Sequence, residues 1–233
     1  KTMPDGAWEF DAAVTAVFDD MLQRSIPAYS QMRDITYQVG RRFVKPGTTV
    51  LDLGVSRGGA LQAFIDEFGK TNSYIGLDIS EPMIEAARSR FSEQIKQGFV
   101  DIRNLDLREG FPPERDMSLV LSVLTLQFTP IEYRPKILSD VFSSLKESGG
   151  SFILVEKVLG ETAVADDFMT DIYYDFKKMN GYTQEQIQRK RLALEGKLVP
   201  VTAKMNEEFL ASAGFTKIQR IWQVLNFAAW WAS

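Results

Sequence analysis

The sequence predicts an α/β fold built on a doubly wound, mostly parallel sheet, and three observations carry that expectation. Thr48 to Gly59 reads T-T-V-L-D-L-G-V-S-R-G-G, a short strand entering a small-residue turn, followed by a helical pattern at Ala60, Leu61, Ala63, Phe64, Ile65 and Phe68. Strand, glycine-rich turn and helix open a nucleotide-binding sheet, because small residues let backbone N–H groups and a helix N-terminus approach a ligand. A second acidic strand end, Asp78 in Y-I-G-L-D-I-S, follows at the interval that strand, loop, helix and strand require. Leu119-Val120-Leu121-Ser122-Val123-Leu124 is the run expected of a strand buried on both faces.

The turn itself narrows the chemistry. A dinucleotide fingerprint would need Gly at position 56, where Ser56 stands. Gly54, Ser56 and Gly58 do match the G-x-S-x-G elbow of hydrolases, but the chain of 233 residues has no His and no Cys, so neither a Ser–His nor a Cys–His mechanism is available. A carboxylate at the tip of the second strand takes nucleoside ribose hydroxyls in such sheets, which makes Asp78 the ribose ligand without choosing the cofactor. The Asp52-x-Gly54 turn resembles that of class I S-adenosylmethionine-dependent methyltransferases.

Composition sets further bounds. Absence of Cys and His removes disulfides, thiolate sites and the commonest metal ligand, and no metal is expected. A net charge of −4 gives no bulk electrostatic case for nucleic acid. No signal peptide or membrane span is visible, and a cytoplasmic enzyme is expected. The chain opens at Lys1 without an initiator Met, so a trimmed or absent native N-terminus is expected.

In chain order, Trp8 to Ile26 has apolar residues at helical spacing, Pro27 redirects the chain, and a second helix runs from Tyr29 to Phe43. Residues 1–46 thus form an N-terminal helical cap, with Tyr29 placed either to reach the ligand or to pack between helices. Ser80 is the expected N-cap of the helix after Asp78, without a capping box. Phe99 to Arg103 is the third strand; Asp106, just past it, suits contact with an adenine amino group. Met117 to Phe128 holds the fourth strand and its ligand-facing end, Ile131 to Leu145 a helix, and Ser151 to Val155 the fifth strand. Strict β–α alternation to this point implies parallel strands with right-handed crossovers.

Residues 161–200 then read as a polar helical insertion, stopped once at Gly181, of the kind that builds a substrate pocket. Arg189, Lys190 and Arg191 cannot share one helix face, so either one points inward while the others stay solvated or, the commoner case, the run is an exposed basic one. Glu207 to Ala213 is a further helix, and Phe215 to Ile221 with Val224 to Trp230 a terminal antiparallel pair. No second independent domain is apparent.

The insertion also carries a resemblance. Asp175-Phe176-Lys177-Lys178-x-Asn180-Gly181-Tyr182, with Gln186-Ile187 and Lys190-Arg191, resembles the carboxy-S-adenosyl-L-methionine synthases. Phe18 with Asp20-Met21, Pro27-x-Tyr29-Ser30, Asp52-Leu53-Gly54, Pro82-Met83-Ile84-Glu85, Thr125-Leu126-Gln127-Phe128, Glu156-Lys157 and Ala213-Gly214-Phe215 extend it over nearly the whole chain. The resemblance implies a Rossmann-like class I methyltransferase fold, with a mostly parallel seven-stranded sheet, an N-terminal helical cap and a helical insertion after strand five. It implies conversion of S-adenosylmethionine (SAM) and prephenate, or another small acid, to carboxy-S-adenosylmethionine (carboxy-SAM), the donor for a tRNA wobble uridine. It also implies a homodimer, with no direct nucleic-acid or membrane binding. Tyr29, Gly54, Val55, Ser56, Asp78, Ile79, Asp106, Leu107, Val123 and Arg191 would then line the cofactor site. Arg191 would hold the transferred carboxylate, for which a guanidinium is a planar bidentate match, and Tyr29 would be a second catalytic candidate. The family has Cys where Val55 stands and Asn where Val123 stands; Ser122, next to Val123, points to the other face of a strand. Val123 leaves room for the alternative of an ordinary methyltransferase with a small, anionic acceptor. A non-catalytic SAM-binding subunit is the reading from outside enzymology.

Overall fold

The computed structural model describes residues 9–233, so Trp8 and the first eight residues of the expected cap lie outside the described residues. Two helices precede the sheet. Helix α1 (Ala12–Ser25) is capped by Asp11, whose Oδ1 accepts the Val14 N–H at 2.8 Å, and α2 (Tyr29–Gly40) follows Pro27 and Ala28.

Strand β1 (Thr49–Asp52) leads through the glycine turn to α3 (Gly59–Phe68), and β2 (Ser73–Asp78) to α4 (Glu81–Arg90). Ser80 caps α4 by accepting the Met83 N–H, as its sequence predicts. A short helix α5 (Ser92–Lys96) precedes β3 (Val100–Asn104). Here strict alternation fails: no helix joins β3 to β4 (Met117–Val123), because Gly110 and Pro112-Pro113 interrupt residues 105–116. Helix α6 (Arg134–Lys146), β5 (Ser151–Leu159), α7 (Ala163–Met179) and α8 (Gln184–Leu194) come next. Gly181 ends α7 at φ 87°, and Thr183 opens α8 with a reciprocal capping box to Gln186. The chain then forms β6 (Val201–Thr202), α9 (Ala203–Ala213), β7 (Ile218–Val224) and β8 (Phe227–Ala232).

The strand order is β3-β2-β1-β4-β5-β8-β7, parallel from β3 to β5 and antiparallel at β8 and β7. The expected seven strands are joined by an eighth, β6, which pairs parallel with the end of β5. Two residues after Pro200 leave no alternation for the sequence to display. Side chains alternate across the sheet into two cores. Val50, Leu119 and Leu121 face α2, α3 and α4 through Met32, Phe64 and Ile84, whereas Leu51, Val120 and Leu154 face α6 and α9 through Val141 and Leu210. Each fully buried side chain of this size contributes about 1.5–3 kcal/mol over leaving it exposed. The C-terminal ends of β1, β2, β4 and β5 open towards α1, α7 and α8, and there the sheet carries its cavity.

Candidate functional site

The cavity has a volume of about 1090 Å³ and brings together residues from the cap, the strand ends and the insertion. Tyr29, Gly54, Val55, Ser56, Asp78, Ile79, Asp106, Leu107, Val123 and Arg191, all expected from the sequence, line it.

Its first end is the glycine turn. A β-carbon on Gly54 would stand 2.1 Å from Thr125 Oγ1, so only glycine lets this backbone pack against the end of β4. Ser56 and Leu124, both in the wall, hold left-handed backbone at φ 46° and 59°, a strain of about 1–3 kcal/mol each. Asp78 organises the turn: its Oδ2 accepts the Ser56 N–H at 3.0 Å, and its Oδ1 those of Ile79 and Ser80 at 2.8 and 2.9 Å. Burial pushes its carboxyl up and the three N–H groups push it back. Asp52 lies behind the turn with no exposed surface. Its Oδ1 accepts the Gly54 N–H, its Oδ2 has no partner, and burial pushes it up to about 7. Asp106 is gripped by Arg108, which holds its carboxyl below the usual range.

A nucleoside fits this end. Asp78 presents a carboxylate to the cavity at the tip of β2, the buried Asp52 Oδ2 has no hydrogen-bond partner, and Arg33 supplies a cation beside the turn, 3.5 Å from where a β-carbon on Gly59 would be. Helix α1 lies over it, fastened by an Arg57–Asp19 pair at 3.0 Å and by the Ser80 hydroxyl donating to the Phe10 carbonyl. Tyr29 contributes from α2, where burial raises its phenol against the opposing charge of Arg33. Tyr182, from the matching segment of the insertion, is outside the wall. Its hydroxyl lies 3.1 Å from Ser25 Oγ, and the Arg24 guanidinium stands 4.6 Å from its ring centroid.

The insertion supplies the other end. Of the three consecutive cations, Arg189 pairs with Glu185 on the outside, and Arg191 stands exposed at the mouth, its Nε donating to Gln188 Oε1 at 3.0 Å. Lys190 is the one turned inward. Lys157 on β5, Lys177 on α7 and the Tyr173 ring join it in the wall. Sequence reading passed over this cluster and over Arg33. Lys157, Lys177 and Lys190 lie in three separate elements, and only the matching Glu156-Lys157, Phe176-Lys177 and Lys190-Arg191 segments hinted at them. Val123 lines the cavity, while Ser122 is fully buried on the opposite face with an unpartnered hydroxyl. Among the described residues, no group of acidic side chains is arranged to hold a metal ion, and no helix is long and apolar enough to cross a membrane.

A methyltransferase domain model matches residues 50–149, which hold β1 to β4 and the glycine turn. The solved structure of a SAM-dependent methyltransferase from Aquifex aeolicus superposes with a TM-score of 0.60 at 15% identity, covering 96% of this chain and 98% of that one. At that identity the likeness shows the fold, here the class I methyltransferase fold. The carboxy-S-adenosyl-L-methionine synthase of Methylococcus capsulatus is 36% identical over 94% of this chain and 90% of its own length. That of Staphylococcus epidermidis is 35% identical over 94% of each. Similarity of this extent, reaching from the cap through the insertion to the last strand, shows that the chain is an enzyme of the SAM-dependent methyltransferase superfamily and belongs to the carboxy-S-adenosyl-L-methionine synthase family.

Proposed function

We propose that the protein converts SAM and prephenate to carboxy-SAM, phenylpyruvate and water, supplying a carboxylated donor for tRNA wobble uridine modification in the cytoplasm. The observation that carries this reading is one cavity with an acidic end at the glycine turn and a cationic end lined by Lys157, Lys177 and Lys190. When bound, SAM supplies a sulfonium methyl group, the carbon that gains CO2. Asp78 would take the ribose hydroxyls, Asp106 the adenine amine, and the Gly54–Ser56 backbone the methionine portion. Arg191 at the mouth would hold the new carboxylate, because a guanidinium keeps its charge and offers two parallel donors. Tyr29, half-buried and kept neutral, would orient the reacting methyl and exclude water. Val164, Phe168 and Ile172 form an exposed apolar line on the outer side of α7, and a second copy of the chain is its proposed cover in a homodimer.

The test is the mass of the ligand released from pure, denatured protein. SAM plus one CO2 is expected, with prephenate-dependent formation of the same species on turnover. Plain SAM or its demethylated product, with no carboxylated species after incubation with prephenate, would overturn the reading in favour of methyl transfer to a small acid.

A further inference from the structure

The nucleoside residues occupy only one side of the cavity. Across it, Lys157 of β5, Lys177 of α7 and Lys190 of α8 converge from three elements. The Tyr173 ring is shared by the first two, with Lys177 Nζ 4.4 Å and Lys157 Nζ 5.1 Å from its centroid. Lys190 Nζ reaches Ser25 Oγ at 3.4 Å. Lys177 is 5% exposed, and neither it nor Lys157 forms an ion pair or donates a hydrogen bond among the described residues. Asp166, the acid that acts on Lys157, has its Oδ1 already accepting the Gly160 N–H at 2.8 Å.

Placing like charges together in a buried wall raises the free energy of the protein unless something neutralises them. Helix α7 nevertheless turns Lys177 inward beside Tyr173 while Val164, Phe168 and Ile172 stay on its exposed side. Burial and the neighbouring ammonium groups push Lys177 down to about 6 and Lys190 to about 7, so the ligand-free cluster relieves its repulsion by shedding protons. Negative charge in ion-pair contact is what Lys157 and Lys177 lack among the described residues.

We infer that Lys157, Lys177 and Lys190 form the binding site for a small dicarboxylate, which enters beside the nucleoside as the second substrate. The identity of that acid rests on the reaction proposed above; its charge rests on the cluster alone. The cofactor's own amino-acid carboxylate is the competing source of negative charge, and the strand order separates the two. Residues for the nucleoside sit at the ends of β1, β2 and β3, and β4 stands between them and the lysine on β5. Arg33 already supplies a cation next to the glycine turn. Lys157 and Lys177, once charged, already exceed what a single carboxylate matches, so an acid with two is preferred.

The experiment is calorimetric titration of prephenate into protein saturated with S-adenosylhomocysteine, for wild type, Lys177→Met and Lys157→Gln. Each variant is expected to weaken prephenate at least about tenfold and to hold S-adenosylhomocysteine within about threefold, which also reports an intact fold. Unchanged prephenate affinity in both variants would overturn the inference. A parallel loss of S-adenosylhomocysteine would do so too, by assigning the lysines to the cofactor's carboxylate. If the wild type binds no prephenate, the proposed reaction falls, and malonate becomes the probe. Lysine-dependent malonate binding would sustain the dicarboxylate site, and its absence would end it.

Discussion

The two ends of the cavity hold charge in opposite ways. At the glycine turn the carboxylate of Asp78 is satisfied before any ligand arrives, by the backbone N–H groups of Ser56, Ile79 and Ser80. At the other end, Lys157 of β5 and Lys177 of the insertion line the same space and share the Tyr173 ring. One end is a preorganised piece of backbone that a ligand joins; the other is an arrangement that a ligand completes. The first contributes to folding whether or not SAM is present. The second is neutral for folding at best, and its reason lies in binding.

The largest effect that tests this contrast is Asp78→Ala. It leaves three amide donors without an acceptor, at about 1–3 kcal/mol for each one kept from water, and removes the proposed ribose ligand as well. A loss of about 2–4 kcal/mol of stability is expected by denaturant titration, together with at least about a hundredfold weaker S-adenosylhomocysteine binding. Wild-type stability in this variant would erase the distinction between the two ends.

How much of each end was legible in the sequence follows from the same contrast. The glycine-turn end is local: Asp52, Gly54 and Ser56 share one turn, and Asp78 and Asp106 lie at or past the end of a readable strand, so periodicity and strand tips were enough to bring them to one end of the sheet. The β3–β4 link and β6 were misread because a crossover without a helix and a two-residue strand leave no period. At the cationic end the sequence offered Arg189, Lys190 and Arg191 without saying which turns inward. Helix geometry guarantees that they diverge, but the packing of Ile187 decides the rotation, and it sends Lys190 into the wall. Lys177 was hidden for a different reason. Its helix lies in a stretch that reads as polar and helical, with nothing to single out one cation, and the structure buries Lys177 beside Tyr173 while Val164, Phe168 and Ile172 stay exposed.

Proton linkage gives a smaller, sharper test. Lys177 and Lys190 face Lys157, Arg24, Tyr173, Tyr182 and, through Lys157, Asp166. Both have folded values below the ordinary lysine value, so the unfolded chain binds more protons between about pH 6 and 10. Stability contributed by these groups therefore rises with pH across that window, and the penalty is complete below about 6. An arriving dianion favours the ammonium forms and reverses the shift. Titration of prephenate at pH 8 in buffers of different ionisation enthalpy is expected to show uptake of about one to two protons per acid bound, and affinity falling as pH rises from 6 to 9. Binding without proton exchange would mean that the lysines already carry their charge in the ligand-free protein.

The smallest effect belongs to the residue that sequence reading favoured most. A buried guanidinium–carboxylate pair loses about 2–5 kcal/mol when one partner is removed. Arg191, however, stands exposed at the mouth with its Nε already donating to Gln188, where solvent screens its charge. Arg191→Ala is therefore expected to weaken carboxy-SAM by about 0.5–1 kcal/mol, a few-fold, and to leave SAM unchanged. Competition of the two ligands against labelled S-adenosylhomocysteine reads the difference directly. A loss in the larger range would mean that another surface closes the mouth in solution, and Leu192, exposed beside Arg191 and continuous with α8, marks where a second copy would press. No difference between the two ligands would take the transferred carboxylate away from Arg191 and leave the inward lysines as the cations that receive it.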